Sequence, residues 1–231
     1  MASGEPLIRV DPQQKARLGN LKHAGQAWRQ EADAVTGHDF LSASLGRVSP
    51  SGLVNGERNE GTVYGGMAAD PPDFAVDVLS PWGHDQGRLA SPQATRLLLG
   101  AEGGGSHGSR PRLWKAQLQS QRSDVTGRSL TGCPYPSGCS TWTPLAHRLC
   151  RHLSITWAGQ PLRTRETMLS LIRGPTTQTG LQVSAHGLEG LFETRKKVSD
   201  AVMKTLHCVR HTTCPRWNYP IRPRLDSAPT R

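Results

Sequence analysis

The sequence predicts an α/β fold, and three stretches carry that prediction. In residues 6–11 the apolar Leu7, Ile8 and Val10 mark a short strand that ends on a carboxylate, Asp11. In residues 94–100 the run Leu97-Leu98-Leu99 reads as a buried strand, followed by Glu102 and the glycines Gly103, Gly104 and Gly105. An open α/β sheet places its site at the carboxyl ends of its strands, so an acid and a glycine cluster just past a buried strand suit that arrangement. Thr143-Pro144 then opens a helix, with Thr as cap, Pro at the first helical position, and Leu145, Leu149 and Leu153 recurring every four residues toward a core.

Between these anchors the signals are weaker. Pro12 to Arg17 is a polar run, followed by Gly19, Gly25 and Trp28, and residues 37–48 carry Leu41, Leu45 and Val48. Residues 49–73 read as turns, because Gly52, Gly56, Gly61, Gly65, Gly66 and Pro71-Pro72 crowd them. Phe74 to Leu79 has the spacing of a short helix that Pro81 would stop. Ser109 to Gln121 is predicted to be helical through Leu113, Trp114, Ala116 and Leu118, and Pro134 to Gly138 a loop. Thr164 to Ile172 is a further short helix. Ser199-Asp200 caps a last one, with Val202, Met203 and Leu206 as its apolar stripe. From Cys214 onward, Pro215, Pro220, Pro223 and Pro229 predict an extended or disordered tail.

The composition narrows the classes of function. Only 35% of residues are hydrophobic, and 25 Gly and 17 Pro in 231 residues leave material for a thin core. The segment 47–94 is expected to be its least protected part. No apolar run approaches the length of a membrane span, and residues 1–11 lack the basic-then-apolar pattern of a secretory signal, so a cytoplasmic protein is expected. Twenty-eight Lys and Arg against 18 Asp and Glu give a net charge of +10, which favours a polyanion partner, nucleic acid above all. Five cysteines form no even disulfide framework. His207, Cys208, His211 and Cys214 are zinc-type donors, but their spacing matches no standard zinc pattern, and ordinary reduced thiols are expected.

Several fragments, in one order, resemble the DDE transposases of bacterial insertion sequences, specifically the Rhodopirellula transposase family, also named for an Azoarcus element. They are Val10-Asp11-x3-Lys15, Gly19-Asn20-Leu21-Lys22-x2-Gly25-x2-Trp28, His38-Asp39-Phe40 and Asn59-Glu60-Gly61. They continue with Leu98 to Lys115, Ala146-His147-Arg148-Leu149, Ser154-Ile155-x-Trp157-x-Gly159-x-Pro161-Leu162, Thr176 to Leu181, Lys197-Val198-Ser199-Asp200 and Trp217-Asn218-Tyr219. The resemblance spans about residues 6–223 and is poor over 47–94.

The resemblance implies an RNase H-like mixed sheet flanked by helices, in a form expected to be incomplete. Three acids at strand ends and on one helix would hold two Mg²⁺ ions, which drive in-line attack on a DNA phosphodiester. Position by position, the first acid falls on Asp11. The second falls on Glu102, where the family has Asp, and the third on Ala146, where the family has Glu. Asp11 and Glu102 are therefore the candidate catalytic and metal-binding residues. Alanine supplies no ligand atom, and the extra methylene of Glu102 displaces its oxygens by about 1 Å, enough to cost ~100-fold in rate.

The expected organisation is a disordered start at 1–5, a catalytic domain at 6–213 and an extended tail at 214–231. The family's upstream helix-turn-helix region is not matched here, so a truncated and degenerate copy is expected. The partners implied are insertion-sequence ends, target DNA and a second copy of the chain, with no membrane, in the bacterial nucleoid. Two other readings stand beside this one. One is a basic nucleic-acid-binding protein without catalysis, which would bind DNA in a salt-dependent way and never cleave it. The other is the product of a decayed reading frame, which would show no cooperative melting.

Overall fold

A computed structural model of the chain describes residues 5–13, 15–37, 44–67, 76–79, 91–102, 110–136, 138–139, 143–173, 180–189 and 196–224, and no side chains at 144–146. Eight strands form one mixed sheet: β1 (Leu7–Pro12), β2 (Ala16–Leu18), β3 (Gly46–Asn55), β4 (Glu60–Gly66), β5 (Arg96–Glu102), β6 (Ser129–Tyr135), β7 (Gln182–Leu188) and β8 (Tyr219–Ile221). Their order across the sheet is β7-β4-β3-β1-β5-β6-β8, with β2 joined to β3. β1, β5 and β6 are parallel, β3 runs antiparallel to both β1 and β4, and β8 closes the far side antiparallel to β6. The helices are α1 (Arg112–Gln117), α2 (Asp124–Thr126), α3 (Pro144–Trp157), α4 (Arg165–Ile172) and α5 (Asp200–Lys204). A π-helical turn, Leu118–Ser123, joins α1 to α2. This is the α/β, RNase H-like arrangement that the resemblance implies. No helix among the described residues is long and apolar enough to cross a membrane.

Alternation along the strands explains the layers, because successive side chains point to opposite faces. Ile8, Val10, Leu53, Leu97 and Leu99 meet Trp114 and Leu118, together with Val76, Val78 and Leu79 of a helical turn at 76–79. On the other face Val48, Val54, Val63 and Ala185 meet Leu149, Leu153, Met168, Leu169 and Ile172 of α3 and α4. The sheet is therefore covered on both sides, and the acids sit at the α3 side of its end.

The largest departure from the sequence reading lies in residues 49–73. Instead of turns, β3 and β4 form a buried hairpin joined at 56–59, with only Asn59 in the left-handed region at φ 52°. The glycines serve packing. A methyl on Gly52 would lie 2.6 Å from Leu149 Cδ2, on Gly61 3.1 Å from Leu149 Cδ1, and on Gly65 3.2 Å from Met168 Cε. They let α3 and α4 lie close on the sheet, a use of glycine that looks like turn chemistry in sequence. Pro50 is tolerated because β1 pairs with β3 only from Ser51 onward and β2 only up to Val48, leaving its missing N–H in the gap.

Other predicted elements shift less. The strand expected at 94–100 runs to Glu102, and α1 starts after Pro111 rather than at Ser109. β2, β6 and β7 have no counterpart in the sequence reading. Pro134 and Tyr135, expected in a loop, end β6 beyond Leu130–Gly132, the part that β8 pairs with. Thr164 caps α4 by accepting from Thr167 N, whereas the Thr143 side chain, the expected cap, makes none on α3. Ser199 caps α5, yet α5 buries no residue, so the stripe Val202-Met203-Leu206 is not a core face. The stretch after Cys214 is structured as far as it is described. Tyr219 and Ile221 are buried in β8, and Arg224 donates to Asp124 Oδ2 from Nε at 2.8 Å. The expectations for residues 1–4, 38–43, 68–75, 80–90, 103–109 and 176–179, and for the Leu145 side chain, lie outside the described residues.

Candidate active site at the ends of the parallel strands

β1 and β5 pair in parallel with Val10 opposite Ala101, so the next residues on the two strands, Asp11 and Glu102, arrive together at the carboxyl end of the sheet. β6 continues the row, with Tyr135 opposite Glu102. Asp11 is 9% exposed and Glu102 half-buried. The backbone of position 146 lies in the first turn of α3. The next residue, His147, is exposed, and its charge acts on Asp11. The structure thus brings the two predicted acids together and sets the start of α3 near them.

Burial raises the Asp11 carboxyl to about 6, and the neighbouring charge of Glu102 adds to the rise. The Arg9 guanidinium, the Glu102 backbone N–H and His147 pull the other way. Asp11 Oδ1 is buried with no hydrogen-bond partner among the described residues. A carboxylate desolvated beside another carboxylate is a costly arrangement, characteristic of sites that bind a cation or move a proton.

Four neighbours escaped the sequence reading. Arg9, two residues before Asp11 on the same face, lies over the Tyr135 ring at 4.9 Å from its centroid and donates to the Tyr135 hydroxyl. Gln13, two residues after Asp11, is buried and donates from Nε2 to the Asp11 carbonyl at 3.3 Å. The Cys150 thiol donates to Gln13 Oε1 at 2.7 Å, and burial followed by the charge of Asp11 pushes that thiol up. Spacing held the available signal: Cys150 stands four residues after Ala146, one turn along the same helix, and Arg9 and Gln13 share the period-2 face of Asp11.

The orphaned Asp11 oxygen is what a cation would satisfy, and Glu102 adds a second hard oxygen donor. The set ends there. Position 146 is alanine, and among the described residues no group of three or more His, Cys, Asp or Glu could hold a metal ion. The residues present do not fit a centre of two ions. Elsewhere, Cys208 bridges to Ile221 in the backbone, and the His211 ring accepts from Thr213 N at 2.9 Å.

Comparison with curated proteins and with solved structures finds no match. Comparison with family models matches residues 1–223 to the Rhodopirellula transposase DDE domain. With a mixed sheet, an acid pair at its parallel strand ends and a match over nearly the whole length, the chain belongs to the Rhodopirellula transposase DDE domain family.

Proposed function

We propose that this transposase-like chain engages DNA without cutting or joining it. The observation that carries the proposal is the incomplete acid set: Asp11 and Glu102 meet at the strand ends, while α3 brings alanine where the resemblance implies the third acid. In an intact member, Mg²⁺ held by three acids would supply the phosphodiester chemistry. What the chain keeps is a net charge of +10, suited to the phosphates of element ends and target DNA. Self-association on DNA belongs to the same proposal.

The test incubates the full chain with end-labelled DNA in Mg²⁺ and in Mn²⁺, and measures binding by anisotropy across a salt series. Expected are binding that weakens steeply with salt and no strand cleavage or joining. Metal-dependent cleavage that disappears in Asp11→Asn would overturn the proposal, and so would absence of DNA binding.

A further inference from the structure

Two of the motifs that carry the family resemblance meet in space, and the acid pair leaves both unused. The segment 19–28 folds against residues 158–163. Gly19 N donates to Leu162 O and Gly159 N to Ala24 O, both at 2.9 Å. The approach is tight enough to require glycine on both sides. Gly25 has φ +97° and no room for a methyl beside Ala158, and Gly159 has φ +64° and no room beside Gln26 and Ala27. Asn20 Nδ2 donates to Ala34 O at 2.7 Å, Arg163 holds Asp33 at 2.9 Å, and Arg29 reaches both Gln160 and Asp33. This heavily pinned loop presents Trp28, whose side chain is fully exposed.

Beside it lies a cavity of about 630 Å³ lined by Lys15, Arg17, Lys22, His23 and Arg47, with no carboxylate among its described lining residues. Gln13 and Cys150 are among its lining residues, and Gln13 donates to the Asp11 carbonyl, so the cavity borders the surroundings of Asp11. A second cavity of about 530 Å³ holds Trp28 and shares Leu21, Lys22 and His23 with the first. Two acids line it: Asp33 is paired with Arg29 and Arg163, and Glu31 leaves one exposed carboxylate against the positive charge of Lys22 and Arg29.

We infer that these joined cavities form a track for single-stranded DNA, with Lys15, Arg17, Lys22 and Arg47 holding the phosphates and Trp28 stacking a base. The inference rests on DNA being the ligand, as proposed above, and adds the form of DNA and the path it takes. A basic groove with an aromatic platform is how proteins hold an unpaired strand, since every base has a face to stack and the backbone supplies uniform charge. A duplex keeps its bases stacked on each other and could not use Trp28. Fixing the platform in advance reduces the ordering cost of binding.

The experiment titrates the full chain into a fluorescein-labelled oligo-dT of roughly 15 nucleotides, and separately into a duplex of equal length, across a salt series. Oligo-dT should bind more tightly than the duplex. Trp28→Ala should weaken it roughly tenfold with an unchanged salt slope, Trp28→Phe should retain most of the affinity, and the melting curve of both variants should match the parent. Replacing Lys22 and Arg47 together by Ala should flatten the log K against log salt slope for oligo-dT by about 1.4, two single-strand phosphates' worth. Equal affinity of Trp28→Ala and parent for oligo-dT would overturn the track, as would tighter binding to the duplex. In either case the DNA reading stands so long as DNA is bound at all. Failure to bind either form removes both.

Discussion

At the scale of residues, the cost of the site is concentrated in Asp11. Its folded-state value of about 6 lies above the ordinary 3.8, so the folded chain holds this proton more tightly than the unfolded one. Stability from that proton is complete below about pH 4 and is lost as pH rises through about 6. Ionised Asp11 therefore works against folding at neutral pH. Asp11→Asn should stabilise the chain by roughly 1–3 kcal/mol at pH 8 and by almost nothing at pH 4. Urea unfolding in the presence of a chelator at both pH values measures this, and a gain that is equal at the two would refute the assignment. The placement of the two acids at strand ends was legible as a local pattern, while their reading as site residues came from the resemblance. Gln13, Cys150 and Tyr135 could not be read from the sequence, because their roles depend on how α3 and β6 dock against β1.

At the scale of elements, the same glycines that suggested turns are what let the helices sit on the sheet. Leu149 is fully buried over Gly52 and Gly61, so its loss should leave a cavity and cost about 2–5 kcal/mol. Gly52→Ala should also destabilise the chain, because its methyl would meet Leu149 Cδ2 at 2.6 Å. In the Leu149→Ala background the clash is gone and the new methyl fills part of the void, so the double variant should be more stable than the two separate losses add up to. Strictly additive unfolding free energies would contradict this packing. The hairpin β3–β4 was hidden from sequence reasoning for a definite reason: strand periodicity is read from side chains, and at these positions the helices supply the side chains. α4 was legible because Thr164 and its first turn are a local signal, satisfied by the Thr167 N–H at 3.0 Å. β6 and β8 were not, since Gly132 makes room for the Tyr219 ring, a partner 87 residues along the chain. Trp114 Nε1 then donates to the Tyr219 hydroxyl at 2.8 Å and ties this edge to α1.

At the scale of the whole molecule, the fold and the chemistry separate. The sheet brings Asp11 and Glu102 together, the helices cover it on both faces, and the chain carries an excess of positive charge. The proposed defect lies in one side chain on α3, at position 146, together with Glu102. The central claim is that this loss, with the lengthened Glu102, is what disables the site. It is tested most directly by calorimetric titration of Mn²⁺ into the parent chain and into the double variant Ala146→Glu with Glu102→Asp, with Asp11→Asn added to the double variant as a control. The account predicts that the double variant binds Mn²⁺ roughly tenfold or more tightly than the parent, and that Asp11→Asn cancels the gain. A double variant that binds no better than the parent, with an unchanged melting curve, would contradict it.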